Sequence, residues 1–206
     1  MSKILKISNI IKPFNKSISI EGDKSLSIRW ALLASQASGV SISSNLLRSE
    51  DVLNTLNCLK KLGIKIILTK NYCKIIGNGL NKFNYKKLIS LNAGNSGTLG
   101  RLILGLLVHS KNKVIIKGDR SLSKRDFLRV TKPLNKFGAN LKTTSGRLPV
   151  TIEGTQFPKP IKYLENKGSA QCKSTVMLAA LNTTGKTFIK AKKSRDHTEI
   201  LFKHLK

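Results

Sequence analysis

The sequence has few of the residues that build disulfide, zinc or membrane proteins. Its three cysteines, Cys58, Cys73 and Cys172, are widely spaced and form no CxxC pair, so we expect reduced thiols in a cytoplasmic protein. The best apolar run, residues 102–108, is far shorter than the ~18 residues of a membrane span. The first residues, Met-Ser-Lys-Ile-Leu-Lys, lack the apolar core of a signal peptide. We therefore expect no membrane partner and no metal framework.

Acidic and aromatic residues are also scarce. Ten Asp and Glu oppose 38 Lys and Arg, which gives a formal net charge of +28, and aromatic residues make up 5% of the chain. Such an excess of positive charge is typical of nucleic-acid binders. The lysines, however, are spread along the chain, and few aromatic side chains are present for stacking on bases. We expect no nucleic-acid partner, and a basic RNA-binding protein with salt-sensitive affinity is the alternative from another class.

An internal repeat organises the chain. Glycine-led openings occur at nearly equal intervals, at Gly22, Gly94 and Gly168. Each precedes a predicted helix, a β-branched strand and a second helix that an acid introduces. The predicted segments are first helices at 26–37, 99–108 and 172–181, strands at 40–42, 114–116 and 187–189, and second helices at 51–62, 126–137 and 196–205.

The first two copies continue beyond the second helix. Gly63 and Gly138 are typical helix stops, and we predict strands after them at 65–68 and 140–143. Each copy thus predicts a βαβαββ module in an α/β (α+β) fold, with first helices that contain small residues and pack together. The third copy stops at Lys206, before its closing strands, so we expect a truncated chain.

Each opening places polar residues at the N-terminus of a helix, where backbone N–H groups and the helix dipole attract anions. Ser25, Ser96 and Ser169 also suit the simpler role of N-cap. Arg29 and Arg101 occupy equivalent places in the first two copies. Convergence of three such helix ends predicts a site for anionic ligands.

Five polar, glycine- or arginine-containing segments follow one another along nearly the whole chain. The segments are Gly22-Asp23-Lys24-Ser25-Leu26-Ser27-Ile28-Arg29, Asn92-Ala93-Gly94-Asn95-Ser96-Gly97-Thr98 followed by Arg101, Gly118-Asp119-Arg120-Ser121-Leu122-Ser123-Lys124-Arg125, Gly168-Ser169-Ala170-Gln171-Cys172-Lys173-Ser174 and Ser194-Arg195-Asp196-His197-Thr198-Glu199. In this order they resemble segments of the 5-enolpyruvylshikimate-3-phosphate synthase family, and their combination is specific although each alone is weak.

The resemblance implies a role for each matched residue. Shikimate 3-phosphate would be held by Lys24, Ser25, Arg29, Ser169, Ala170, Gln171 and Arg195. Phosphoenolpyruvate would be held by Lys24, Gly97, Arg125 and Gln171. Lys24 and Arg125 are the candidate catalytic residues, and Asp51, Asn95 and Arg101 are further candidates. The resemblance implies no cofactor and no metal.

The implied fold is an inside-out α/β barrel of two domains, each made of three modules. This chain would supply about half of it. Residues 1–20 would be a strand segment of the other domain, and residues 21–206 would form a three-module substrate-binding domain that is truncated in its third module. The acid–base carboxylates would come from a missing C-terminal half, so we expect the chain alone to be inactive. The family enzyme is usually monomeric.

Two features bear on this interpretation. Asp126 stands where the family often has proline, and it is placed to pair with Arg125 and weaken that residue's contact with phosphoenolpyruvate. The sister enzyme that acts on UDP-N-acetylglucosamine normally has asparagine after the first lysine and a reactive cysteine in the loop of residues 120–125. Ser25 follows Lys24 here, and the loop has no cysteine, which disfavours this second alternative.

Overall fold

The computed structural model describes residues 6, 8, 10 and 12–205. Residues 12–23 form neither helix nor strand, and Ile18 and Ile20 are strongly exposed. The strand predicted within residues 1–20 is therefore not formed in the described part of that segment, and none of the described strands pairs with it. Residues 1–5, 7, 9 and 11 lie outside the described residues. The assignment of this segment to another domain stays a prediction.

The first unit begins with a capped helix. Asp23, rather than Ser25, is the N-cap residue, and its carboxylate accepts a hydrogen bond from the Leu26 N–H at 2.7 Å. The predicted helix therefore starts two residues early. In chain order the unit contains α1 (Lys24–Ala34), β1 (Ser38–Ser43), α2 (Glu50–Lys61), β2 (Lys65–Leu68) and β3 (Cys73–Asn78).

The second unit shows the full βαβαββ order, with one short additional helix. Its first helix is continued by a 3-10 turn at Leu107–His109, and its second main helix continues through the buried Pro133. In chain order the unit contains β4 (Leu88–Asn92), α3 (Gly97–Leu106), β5 (Lys113–Lys117), α4 (Arg120–Ser123), α5 (Leu128–Lys136), β6 (Asn140–Thr144) and β7 (Arg147–Glu153).

The third unit repeats the first four elements of this order. It contains β8 (Lys162–Glu165), α6 (Ala170–Leu181), β9 (Phe188–Ala191) and α7 (His197–His204). Every helix and strand for which the repeat predicted a residue range is present, and most boundaries shift by one to three residues. No described helix is both long enough and apolar enough to span a membrane.

The sheets repeat the same pairing. β4 and β5 are parallel, as are β8 and β9, while β3 joins β1 and β2, and β7 joins β5 and β6, in antiparallel ladders. The strand orders are β1-β3-β2, β4-β5-β7-β6 and β8-β9. These sheets together with the helices make a mixed α/β fold.

The first helices of the units pack together and form the centre of the core. The contact between α3 and α6 is close, because Gly105 has no side chain and lies against the backbone of Thr175. Leu102, Val176 and Ala179 are completely buried beside them. This packing brings the N-termini of α3 and α6 to one end of the molecule, where α1 also begins.

Candidate functional site

A cavity of about 400 Å³ lies where the first and third units meet the N-terminus of α3. All of the residues predicted to hold shikimate 3-phosphate line it. Its lining consists of Lys24, Ser25, Arg29, Thr98, Gly168, Ser169, Ala170, Gln171, Ser194 and Arg195. Basic side chains and hydroxyl groups dominate this lining, and it contains no carboxylate. The cavity therefore suits an anion with several oxygen atoms.

A larger cavity, of about 540 Å³, lies elsewhere on the molecule. Its walls come from the C-terminal ends of α1, α6 and α7, including Trp30, Leu181 and Phe202, and no charged side chain lines it. Apolar walls of this kind cannot offset the charge of a phosphate or carboxylate. Size alone would select the wrong cavity for the predicted ligands.

Lys24 lies in the first turn of α1, where its side chain is half exposed. Its Nζ atom is 3.2 Å from Oδ2 of Asp51, in the first turn of α2. Asp51 was predicted as a further candidate, and the structure places it outside the cavity as the partner of Lys24. The ion pair holds Lys24 at the edge of the cavity before any ligand enters.

Arg29 is buried, and its guanidinium joins two distant parts of the chain. Nε donates to Thr198 Oγ1 at 2.7 Å, and Nη2 donates to Ser174 Oγ at 3.1 Å. Nη1 donates to Ser25 Oγ at 2.6 Å. Burial lowers the pKa of Arg29 from its ordinary value, and the carboxylate of Glu199 opposes this shift. These bonds fix the cation and also orient the hydroxyl of Ser25.

The N-terminus of α3 lies beside two further arginines. Ser96 caps the helix, with its Oγ accepting from the Leu99 N–H at 3.2 Å. A Cβ atom on Gly97 would lie 2.9 Å from Arg125 Nη1 and 3.1 Å from Arg101 Nη1. The backbone at Gly97 is therefore directly exposed to both cations. Gly97 and Arg125 adjoin the cavity but are not among its lining residues.

Arg125 is held by Asn95, not by Asp126. Its Nη2 donates to Asn95 Oδ1 at 2.9 Å. The expected pairing with Asp126 is wrong, because the Asp126 carboxylate instead accepts from the Leu128 N–H at 2.8 Å at the start of α5. Among the described residues, no ion pair joins Asp126 to Arg125. Asp126 therefore leaves the charge of Arg125 available to a ligand.

Arg101 connects the second unit to the third. Its Nη1 donates to Gln171 Oε1 at 2.5 Å, and its guanidinium carbon lies 5.3 Å from the centre of the Phe127 ring. The amide nitrogen of Gln171 donates to Thr98 Oγ1 at 3.1 Å. Burial lowers the pKa of Arg101 from its ordinary value. Arg101 therefore orients Gln171, one of the lining residues.

The N-terminus of α6 contributes the third wall. Ser169 is the N-cap residue, and its Oγ accepts from the Cys172 N–H at 3.3 Å. Gly168, just before it, has a φ of +67°, a conformation that glycine adopts without strain. The turn brings Ser169 and Ala170 to the cavity. Ser169 therefore caps α6 and also lines the cavity.

The segment before α7 closes the site. Arg195 is exposed and lines the cavity, and His197 Nδ1 lies 3.1 Å from Ser25 Oγ. Glu199 forms an ion pair with Lys173, so its negative charge is matched away from the cavity. The cations and hydroxyl groups that line the cavity therefore come from both the first unit and the third unit.

Five residues of the site were not predicted to have a role. Thr98, Gly168 and Ser194 line the cavity, while Ser174 and Thr198 bind Arg29. Ser194 Oγ is buried and has no hydrogen-bond partner among the described residues. All five belong to the matched segments, so their position there was the available signal. None of the described His, Cys, Asp and Glu side chains form a group that could hold a metal ion.

The lining of the cavity is suited to small anions, and comparisons with known proteins identify the family of the chain. The model of the family described as EPSP synthase (3-phosphoshikimate 1-carboxyvinyltransferase) matches residues 8–206. The chain therefore belongs to the EPSP synthase family, as the resemblance of its segments indicated.

Individual relatives agree with this assignment. The 3-phosphoshikimate 1-carboxyvinyltransferase of Vesicomyosocius okutanii subsp. Calyptogena okutanii is 43% identical over 200 residues, which cover 95% of this chain and 46% of the relative. That of Caldicellulosiruptor bescii is 39% identical over 196 residues, which cover 94% of this chain and 45% of the relative. An EPSP synthase structure from Acinetobacter baumannii superposes with a TM-score of 0.85 at 37% identity, over 90% of this chain and 42% of that one. The chain spans less than half the length of the curated relatives it matches.

Proposed function

We propose that the chain binds shikimate 3-phosphate in the cavity beside α1 and α6, as part of a 3-phosphoshikimate 1-carboxyvinyltransferase. The observation that carries this proposal is the common location of Lys24, Ser25, Arg29, Ser169, Ala170, Gln171 and Arg195, all of which line one cavity. They come from three matched segments that are far apart in sequence. Family membership supports the same ligand.

The charges around the cavity support a phosphate ester. Lys24 and Arg195 are exposed cations that line the cavity. Arg29 is a buried cation in the same lining, and its hydrogen bonds hold it in place. Charge-assisted hydrogen bonds from such groups are about twice as strong as neutral ones. Ser169 Oγ already accepts a hydrogen bond from the Cys172 N–H. Its hydroxyl proton therefore remains available to donate to a phosphate oxygen.

Phosphoenolpyruvate would bind next to this cavity, at Gly97 and Arg125. Because Gly97 has no side chain, an anion can approach the α3 N-terminus and the Arg125 guanidinium together. Lys24 and Gln171 would lie between the two substrates. Two multiply charged anions repel each other, so fixed cations on both sides are needed to bring them into contact.

The reaction would join the 5-hydroxyl of shikimate 3-phosphate to the enolpyruvyl carbon. The oxygen adds to that carbon while the methylene group takes a proton, and the tetrahedral species then loses phosphate and a proton to give the enolpyruvyl ether. This chain would hold the substrates and stabilise their charge, with Lys24 and Arg125 nearest the reacting groups. The resemblance assigns the acid–base step to none of its ten acids, so the chain alone would be inactive.

The domain organisation follows from the repeat. We propose that residues 21–206 form a three-unit domain of an inside-out α/β barrel and that residues 1–20 pair with strands of a second domain. In the second unit β5 pairs with β7, whereas β9 has no such antiparallel neighbour among the described residues. Further polypeptide that supplies those strands and the acid–base groups would complete both the fold and the site.

Calorimetric titration with shikimate 3-phosphate tests the binding function. We expect saturable one-to-one binding that weakens about tenfold or more in Lys24→Ala, because one charge-assisted contact is lost. Lys65→Ala is the matched control, since Lys65 is an exposed lysine on β2 that does not line the cavity. Equal affinities of the two variants would contradict the proposed site.

An RNA oligomer added as competitor tests the alternative. We expect shikimate 3-phosphate binding to persist at moderate salt in its presence. If the chain fails to bind the phosphate ester but binds RNA tightly and with a steep salt dependence, the net charge of +28 reflects nucleic-acid binding and the proposed function is wrong.

A further inference from the structure

One carboxylate lies directly behind the Ser169 turn, although the cavity is built for anions. Glu165 is the last residue of β8 and is only 5% exposed. Its Oε2 accepts from the Ser169 N–H at 2.7 Å, and its Oε1 accepts from the Lys167 N–H at 3.3 Å. Both bonds tie the carboxylate to the backbone of the loop that leads into α6.

Arg129 matches the charge of this carboxylate. Its Nη2 atom lies 3.5 Å from Glu165 Oε1, and it reaches across from α5 in the second unit. A buried carboxylate without a cation would be strongly unfavourable. The ion pair also means that Glu165 adds little net negative charge beside the phosphate pocket.

The bonds of Ser169 determine which of its groups can reach a ligand. Its backbone N–H is occupied by Glu165, and its Oγ accepts from the Cys172 N–H at 3.3 Å. The remaining donor is the hydroxyl proton. Glu165 fixes the backbone of the turn on one side and α6 fixes the side chain on the other, so this proton is free to be donated to a ligand in the cavity that Ser169 lines.

We propose that Glu165 is a positioning residue for the phosphate subsite: it fixes the turn of residues 166–169 so that Ser169 and Ala170 face the ligand, while Arg129 neutralises it. Glu165 does not line the cavity itself. It acts through the Ser169 backbone. This proposal deepens the proposed function and rests on it for the identity of the ligand.

The hydrogen bond itself can be tested without any ligand. In the wild-type chain we expect the Ser169 amide to exchange slowly with solvent and its proton resonance to lie downfield, because a carboxylate accepts it at 2.7 Å. In Glu165→Gln the resonance should move upfield and exchange should quicken. A Ser169 amide that exchanges as fast as an unprotected one in the wild-type chain would overturn the proposal.

Binding measurements then test the positioning role. We expect Glu165→Gln to weaken shikimate 3-phosphate binding by about tenfold, which is the scale of one hydrogen bond to a charged group. Glu153→Gln is the matched control, since it removes an equal charge from an exposed ion pair with Lys113 on a distant sheet. The double variant Glu165→Gln/Ser169→Ala should lose less affinity than the sum of the two single losses, because both act at one turn.

The outcomes separate this proposal from the proposed function. Additive losses, or a Glu165→Gln affinity equal to that of Glu153→Gln, would overturn the positioning role. If the wild-type chain does not bind shikimate 3-phosphate but the Ser169 amide is protected, the proposed ligand is wrong while the contact between Glu165 and the turn stands.

Discussion

The contact between α3 and α6 predicts a strong effect from a single methyl group. In Gly105→Ala the added Cβ atom would lie 2.3 Å from the Thr175 carbonyl oxygen and 3.1 Å from Leu178 Cβ. Ordinary contacts begin at 3.4 Å, so the first separation is about 1 Å too short. The obstructing oxygen belongs to the backbone of α6 and cannot rotate away. The two helices must therefore move apart.

The expected cost follows from two opposing terms. Overpacking a core costs about 1–3 kcal/mol, and the backbone contact places Gly105→Ala at the upper end of that range. Alanine is a better helix former than glycine by about 1 kcal/mol. We expect a net loss of about 2 kcal/mol in the free energy of unfolding, measured by urea unfolding followed by circular dichroism.

The same helix provides a matched control. In Gly100→Ala the nearest atoms to the new Cβ would be Ala93 Cβ and a Phe127 ring carbon, both at 3.5 Å. That separation is an ordinary van der Waals contact, so the helix-propensity gain of up to about 1 kcal/mol should remain. A Gly105→Ala chain as stable as the wild type, or a Gly100→Ala chain destabilised by an equal amount, would refute overpacking at the contact between α3 and α6.

Two further predictions concern the site and the pH dependence of stability. Under the proposed function, Gly97→Ala should weaken phosphoenolpyruvate binding several-fold, because its Cβ would displace Arg125 and Arg101; an unchanged affinity, measured by titration beside the Gly100→Ala control, would contradict this. Burial lowers the pKa of His109 below its ordinary value of 6.5, so the unfolded state takes up a proton first and stability should fall as the pH decreases below about 6.5. His109→Gln should reduce this loss in urea unfolding at pH 7.5 and 5.5, and an identical loss in both proteins would show that His109 does not contribute.

The sequence was sufficient to predict the order of the main helices and strands from Lys24 onward, although it did not predict the short helix α4. Glycines such as Gly63 and Gly138, with φ of +85° and +103°, ended the predicted second helices correctly. The first helix was predicted from residue 26, but it starts at Lys24 because Asp23, not Ser25, caps it. Local patterns thus located the elements, whereas the exact cap depended on which side chain reached the backbone.

The contacts that assemble the site were beyond sequence reasoning. The resemblance identified Arg29, but its partners Ser174 and Thr198 lie 145 and 169 residues away. The expected pairing of Asp126 with Arg125 failed because a nearer backbone N–H satisfied the carboxylate. No sequence pattern marked Glu165, because its proposed role depends on contacts with the backbone N–H groups of Lys167 and Ser169. Tertiary contacts of this kind depend on how the helices pack against one another. A local pattern of residues does not specify that packing.

The cavity unites the two ends of the described chain, and this has a consequence for folding. The hydrogen bond from Arg29 to Thr198 joins residues 169 positions apart. Closing so long a loop costs conformational entropy, and this cost must be offset before the cavity can form. Contacts of such long range form slowly, and a chain emerging from the ribosome cannot make this one until α7 has been synthesised. A ligand that binds only the assembled cavity would then shift the equilibrium toward the folded chain by mass action. It would thereby stabilise the contact between the first unit and the third.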